Sequence, residues 1–288
     1  MGHQTRPGMG PNSLPPRSFG GNGRPPRRRR PRGERDTRER DTDDHLNAAL
    51  AILESLENQG DEQTSDACQH LSAICLRELA EDRLHRSSPE DVSQQAEAIM
   101  RLEKLVEKYP VESFYRYELM RTLAEIDVFN LSLNLEELQK AFSSLEQAIK
   151  YGEQLIIEQP DIADYRIELV HANFKFGMVA NAWANLVEGE EREALLKETE
   201  QAYRQALFSQ TFLVRQRPNS LAYKAWVARF CLSLANCETM KDRKKNRSRL
   251  IERAVTVLFG LPEDYKQKPE IASLIAEAKA LSTTTMFE

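Results

Sequence analysis

AIMRLEKLVEKYPVESFYRYEL, residues Ala98 to Leu119, is the stretch from which the fold can be read. It comes back twice. Ala98, Ala148 and Ala206 each lead a helical pattern that closes twelve residues later at Pro110, Pro160 and Pro218. Five residues past each proline stands Tyr115, Tyr165 or Tyr223, followed by a basic residue (Arg116, Arg166, Lys224). Nine past it stands Leu119, Leu169 or Val227. Self-similarity at fixed offsets means stacked copies of one helix–turn–helix unit, because no copy can bury its apolar face alone. The expected fold is all-α, an α-solenoid of about five antiparallel helix pairs.

Working outward, the rest of the chain agrees. Beyond Gly33 only five glycines and six prolines remain in 255 residues. Sheet proteins rich in tight turns need more of both. The periodicity places helices near 43–58, 64–85, 89–109 and 112–129. Others follow from the Asn134 cap to Gln159, from Pro160-Asp161 to Val187, and over 192–216, and one runs from Pro218-Asn219 to Thr239. Ser88-Pro89-Glu90-Asp91 is a start signal, and Asn134 with Glu137 has the form of a capping box. Lys241 to Arg249 is a basic break, expected as a charged surface loop before two shorter helices near 248–259 and 270–282.

Residues 1–42 differ in kind. They hold seven of the thirteen prolines and seven of the twelve glycines and have no apolar period, so they read as a disordered Pro/Arg/Gly-rich arm. Residues 1–33 carry eight arginines and no acid, a local +8, whereas 34–288 carry −13. The domain reading is an arm over 1–42, a helical repeat domain over 43–283 with its repeat core at 90–240, and a short tail over 284–288. No window approaches the roughly 18 apolar residues that a membrane span needs. No apolar leader opens the chain, and the four cysteines include no CxxC. They read as buried free thiols of a reducing, cytoplasmic compartment.

The repeat resembles the tetratricopeptide repeat, degenerate and elongated. The family's second-helix alanine matches Ala98, Ala148 and Ala206, its closing proline Pro110, Pro160 and Pro218, and its first-helix leucine Leu119 and Leu169. Departures are specific. The small residue after that leucine is Met120 and Val170, with only Ala228 fitting. The next aromatic is replaced by Leu123, Asn173 and Cys231. The large residue four after the alanine is Leu102, then Gly152 and Gln210. A second resemblance is to bacterial repeat proteins with such helices behind a Pro/Arg-rich linker and a membrane anchor; whether an anchor once preceded this N-terminus is left open.

What the tetratricopeptide resemblance implies is a non-catalytic scaffold or adaptor that holds a protein or peptide in a groove lined by the first helix of each pair. The groove positions are Arg121, His171 and Arg229, eleven residues past each proline, with Phe174 in an apolar floor beside Ala124 and Leu232. Such a row would suit an acidic peptide or a C-terminal carboxylate. Pairing of each basic residue with a nearby acid, Glu118 or Glu125 for Arg121, is the competing reading. The alternative function is nucleic-acid or anionic-surface binding led by Arg27, Arg28, Arg29, Arg30 and Arg32. Tyr115, Tyr165 and Tyr223 read as structural wedges rather than a base-stacking ladder, and Trp183 and Trp226 as core. No GxGxxG, Walker loop, HExxH or GxSxG occurs. Glu168-x-x-His171 has the spacing of a di-iron ligand pair, but no second ExxH accompanies it. No enzyme activity, catalytic residue, metal or cofactor is expected.

Overall fold

The computed structural model of the chain describes residues 32–83, 89–126, 128, 134–238 and 244–287. Its helices are α1 (Arg32–Glu57), α2 (Glu62–Arg83), α3 (Pro89–Lys108), α4 (Ser113–Ala124), α5 (Leu135–Glu158) and α6 (Ala163–Ala184). There follow α7 (Gly189–Gln216), α8 (Leu221–Glu238), α9 (Lys244–Phe259), the single turn α10 (Glu263–Lys266) and α11 (Pro269–Phe287). No strand occurs among the described residues. Each helix from α2 to α9 packs on the one before it, and α11 packs on α9 and α8. Contacts also join α2 to α4 and α4 to α6, so first helices of successive pairs meet directly.

The repeated sequence marks become repeated geometry. Before each proline the last helical turn closes the same way: the N–H groups of Tyr109, Gln159 and Arg217 donate to the carbonyls of Leu105, Leu155 and Leu213 at 2.8, 2.9 and 2.9 Å. Each turn is then locked by Glu112, Ile162 or Ser220 donating back to the same three residues. Proline has no N–H and disfavours helix in the residue before it, which is why the chain breaks there. The next helix starts three residues later in all three copies.

Burial follows the same register. Ala98, Ala148 and Ala206 are fully enclosed, as are Leu105, Leu155 and Leu213, and Leu119, Leu169 and Val227 are buried. Burying one such leucine contributes roughly 1.5–3 kcal/mol. The core runs as successive clusters, one from α2 to α6, one across α6–α8 and one across α8, α9 and α11. That is what a chain of pairs produces, since each pair touches only its neighbours. Tyr165 and Tyr223 are buried and Tyr115 half-buried. Tyr115 packs against His70 of α2, and Tyr165 against Tyr117 of α4, so each reaches the first helix of the preceding pair. Tyr223 joins Val170 and Phe174 of α6 in one cluster.

Polar pins fix the angle within pairs. Asp66 of α2 accepts from Lys108 Nζ at 2.7 Å and from the Tyr109 hydroxyl. Fifty residues on, Arg116 of α4 holds Glu158 of α5 through two bonds of 2.6 Å. Fifty further, Arg166 of α6 lies over the Phe212 ring of α7, 4.2 Å from its centroid. The register thus extends back to α2 and α3.

Several boundaries differ from expectation, α6 ending at Ala184 rather than Val187 and α7 opening at Gly189 rather than Arg192 among them. α1 begins at Arg32, ahead of the expected start at Asp43, so the end of the expected arm is helix; Glu34 to Asp44 contains no proline or glycine and includes helix-forming Glu and Arg. α4, which the periodicity extends to Phe129, ends at Ala124, where neighbours capture its last carbonyls. Gln95 of α3 donates to Thr122 O and Glu125 O, Ser144 of α5 to Leu123 O, and Lys175 of α6 to Ala124 O at 2.7 Å. The basic break is partly helix, because α9 already runs from Lys244 with Arg247 buried in it. α11 continues past Ser282 to Phe287. α7 opens at Gly189, whose φ of +65° is a conformation that glycine adopts without strain. Asn134 caps α5, its side chain accepting from the Glu136 N–H at 3.0 Å. Ser88 lies outside the described residues, and α3 opens at Pro89. Among the described residues, no helix is long and apolar enough to cross a membrane.

Candidate functional site: the row of first helices

Arg121, His171 and Arg229 occupy α4, α6 and α8, and the structure sets them in three different electrostatic states. Arg121 is enclosed by acids: Nη1 stands 3.4 Å from Glu118, and Nε 3.8 Å from Glu168 on α6. Its guanidinium also lies over Tyr117, 5.7 Å from the ring centroid. Glu118, 7 % exposed, is in turn held by Arg77 of α2, which also bonds Glu78. A line of alternating charge therefore crosses α2, α4 and α6. Glu125, the other acid considered for Arg121, instead faces Lys175 at 3.8 Å.

His171 is not a cation at neutral pH. Burial, with Lys175 adding to it, pulls it down to about 4. Its Nδ1 is 4.0 Å from Glu168, and its ring stands 5.5 Å from Trp226 of α8. Burial pushes the Glu168 carboxyl up, Arg121 opposing this only in part. Phe174 is 8 % exposed, wedged among Tyr203, Trp226 and Phe230, and Ala124 and Leu232 are also buried. The apolar floor is thus enclosed among the helices.

Arg229 differs from the other two. Half-buried on α8, it lies over the Trp226 indole, 5.5 Å from its centroid, and no carboxylate stands within ion-pair distance among the described residues. Trp226 packs edge-on to Phe174 and beside Phe230, so two rings back the half-buried indole. Arg27 to Arg30 lie outside the described residues, and Arg32 is the first residue of α1. No group of three or more His, Cys, Asp or Glu is placed to hold a metal among the described residues, Glu168 and His171 included. The cysteines are free thiols, Cys68 and Cys231 buried and Cys75 and Cys237 half-buried; burial raises Cys231 to about 11.

Sequence reading misses Glu168 as the acid beside Arg121. The pair spans 47 residues and two helix pairs, and only the α4–α6 contact brings it together. It also misses the α7 face carrying Arg204, Phe208, Phe212 and Arg215, whose signal is two phenylalanines set among polar residues.

No protein-family model matches the chain, and no curated protein matches it. Among solved structures it is similar to one titled as a computationally designed self-assembling cyclic protein homo-oligomer. The identity is 10 %, over 88 % of this chain and 99 % of that one, with a TM-score of 0.36. At that score the likeness carries no argument about fold or assembly. The described residues themselves define the class: an all-helical, closely packed array consistent with a helical-repeat fold.

Proposed function

We propose that the array is a tetratricopeptide-like α-solenoid of about five helix pairs serving as a non-catalytic scaffold. A protein or peptide partner lies along the row of first helices α4, α6 and α8. The observation that carries this reading is Arg229 over Trp226, a guanidinium without a carboxylate partner among the described residues, beside an indole backed by Phe174. A carboxylate of an acidic peptide would complete its charge, and the indole would take an apolar neighbour. Arg121 and His171 support the wall and do not supply charge. The threefold turn and the buried alanines support the solenoid reading.

Fluorescence polarisation of an acidic peptide library on the full chain tests it. Arg229→Glu should weaken binding at least about tenfold, the loss of one charge-assisted contact plus repulsion, with helicity unchanged. Equal binding by the variant removes the groove. Arm-led binding to an anionic surface is the second reading, and it would ignore this substitution.

A further inference from the structure

Charge is segregated along the array. Residues 201–260 hold twelve Lys/Arg against three Asp/Glu, a local +9, whereas residues 34–200 carry a local −20. The basic block comprises the second half of α7, all of α8 and all of α9. Within it α7 and α9 border an open furrow of about 290 Å³, lined by Arg204, Phe208, Thr211, Phe212 and Arg215 of α7 and Arg253 of α9. No carboxylate is among its lining residues within the described part of the chain, although Glu200 pairs with Arg204 beside it.

The lining alternates guanidinium and ring. Arg204, Phe208, Phe212 and Arg215 fall at i, i+4, i+8 and i+11, so one helix face presents cation, phenyl, phenyl, cation over roughly 16 Å. Phe208 is 71 % exposed and Phe212 37 %. Two of these groups are already positioned. Arg166 lies over Phe212 at 4.2 Å, and Arg253 Nη2 donates to Thr211 Oγ1 at 3.2 Å. Arg204 is paired with Glu200 at 2.6 Å, while Arg215 meets no carboxylate among the described residues. Beyond the furrow, Lys244, Lys245 and Arg249 of α9 are exposed and extend the positive track.

We infer that this furrow binds single-stranded nucleic acid, with Phe208 and Phe212 stacking unpaired bases and Arg204, Arg215 and Arg253 meeting the phosphates. Charge complementarity alone would also admit an acidic peptide. The exposed rings decide between them, because an unpaired base between two phosphates supplies the flat face and the anions at the spacing this helix displays. A duplex hides its base faces and cannot use the rings. The acidic region N-terminal to the block repels a polyanion, which confines the strand to α7–α9. The inference uses other helices than the peptide reading and does not rest on it.

The test is fluorescence anisotropy of the full chain with a labelled single-stranded oligonucleotide of about 16 nucleotides. Comparisons are a duplex of equal length and polyglutamate as competitor. Phe208→Ala should weaken single-strand binding about tenfold, the loss of one stacked base, and Phe208→Tyr should restore it. The double variant Arg215→Glu, Arg253→Glu should weaken it further and lessen its salt dependence. Ultraviolet cross-links should map to α7. The inference is overturned if these variants bind like the original chain, if cross-links fall only in residues 1–31, or if duplex binds equally well. Displacement by polyglutamate at matched charge, or absence of binding at low salt, overturns it equally.

Discussion

Arg121 of α4 and Glu168 of α6 face each other across the boundary between helix pairs, Nε 3.8 Å from Oε1. The side chains are each 20 % exposed, so the contact is only partly screened by water. It ties a cation at one of the three matched positions to the neighbouring helix pair. Arg121→Glu would set three carboxylates together, the new one with Glu118 and Glu168, and should cost about 3 kcal/mol, the low end of the range for broken buried pairs. Arg229→Glu, with no acid beside it, should cost under about 1 kcal/mol. Urea denaturation of both variants checks the contrast.

His171 and Glu168, one turn apart, move stability in opposite directions with pH. His171 is lowered from 6.5 to about 4, so the unfolded chain takes the proton first. Its contribution is complete above about pH 6.5 and is lost as pH falls toward 4, roughly 3 kcal/mol across that window. Glu168 is raised above 4.5, so the folded chain takes the proton first. Its contribution is present below that value and lost as pH rises through the folded one. His171→Gln should therefore flatten the acid-side fall by about 3 kcal/mol. Glu168→Gln should therefore flatten the fall in stability as pH rises toward about 8, set against the loss of its contact with Arg121, and leave the slope below about pH 4 unchanged. Urea midpoints across that range read both effects.

Arg116 and Glu158 pin α4 to α5 through two bonds of 2.6 Å, and the arginine side chain is 9 % exposed. A lysine cannot reproduce a planar fork. Arg116→Lys should cost about 1–2 kcal/mol although the charge is kept. Chemical denaturation measures the loss.

The short α4 owes its end to borrowed donors. Gln95 alone serves two carbonyls, Thr122 O at 3.1 Å and Glu125 O at 2.6 Å. Gln95→Ala should cost about 1–2 kcal/mol by leaving part-buried acceptors unpaired. Amide hydrogen exchange should quicken at Glu125 and Ile126, whose N–H groups bond within this turn, and stay unchanged at Gln159.

What is legible in the sequence is local and repeated. Proline fixes a chain break, alanine at a crowded crossing admits nothing larger, and both leave marks at constant offsets; the turns at Pro110, Pro160 and Pro218 stand out for that reason. The charge state of Arg121, His171 and Arg229 does not. Arg121 is neutralised by Glu168 of the next pair, and His171 by its own burial, and neither is visible in a period of apolar residues. The shortened α4 is hidden for the same reason, since Gln95, Ser144 and Lys175 come from three separate helices. The departures from the family pattern look like erosion when taken singly, yet two of them fit each other. Met120 is fully buried where the pattern has a small residue, and Gly152 is small where it has a large one. A Cβ on Gly152 would lie 2.6 Å from Met120 Cε and 3.0 Å from Leu169 Cδ1. The bulk has moved from α5 to α4 at one crossing.

That exchange gives the sharpest test of the claim that these pairs are versions of one unit. A double-mutant cycle would compare Met120→Ala, Gly152→Leu and their combination by urea denaturation. Met120→Ala should cost about 2–5 kcal/mol through the cavity it leaves. Gly152→Leu should cost about 1–3 kcal/mol by overpacking. The combination, which puts the small residue on α4 and the large one on α5, should recover at least about 2 kcal/mol relative to the sum. Strict additivity of the two losses would contradict the account, because it would mean that the crossing has no shared space to exchange.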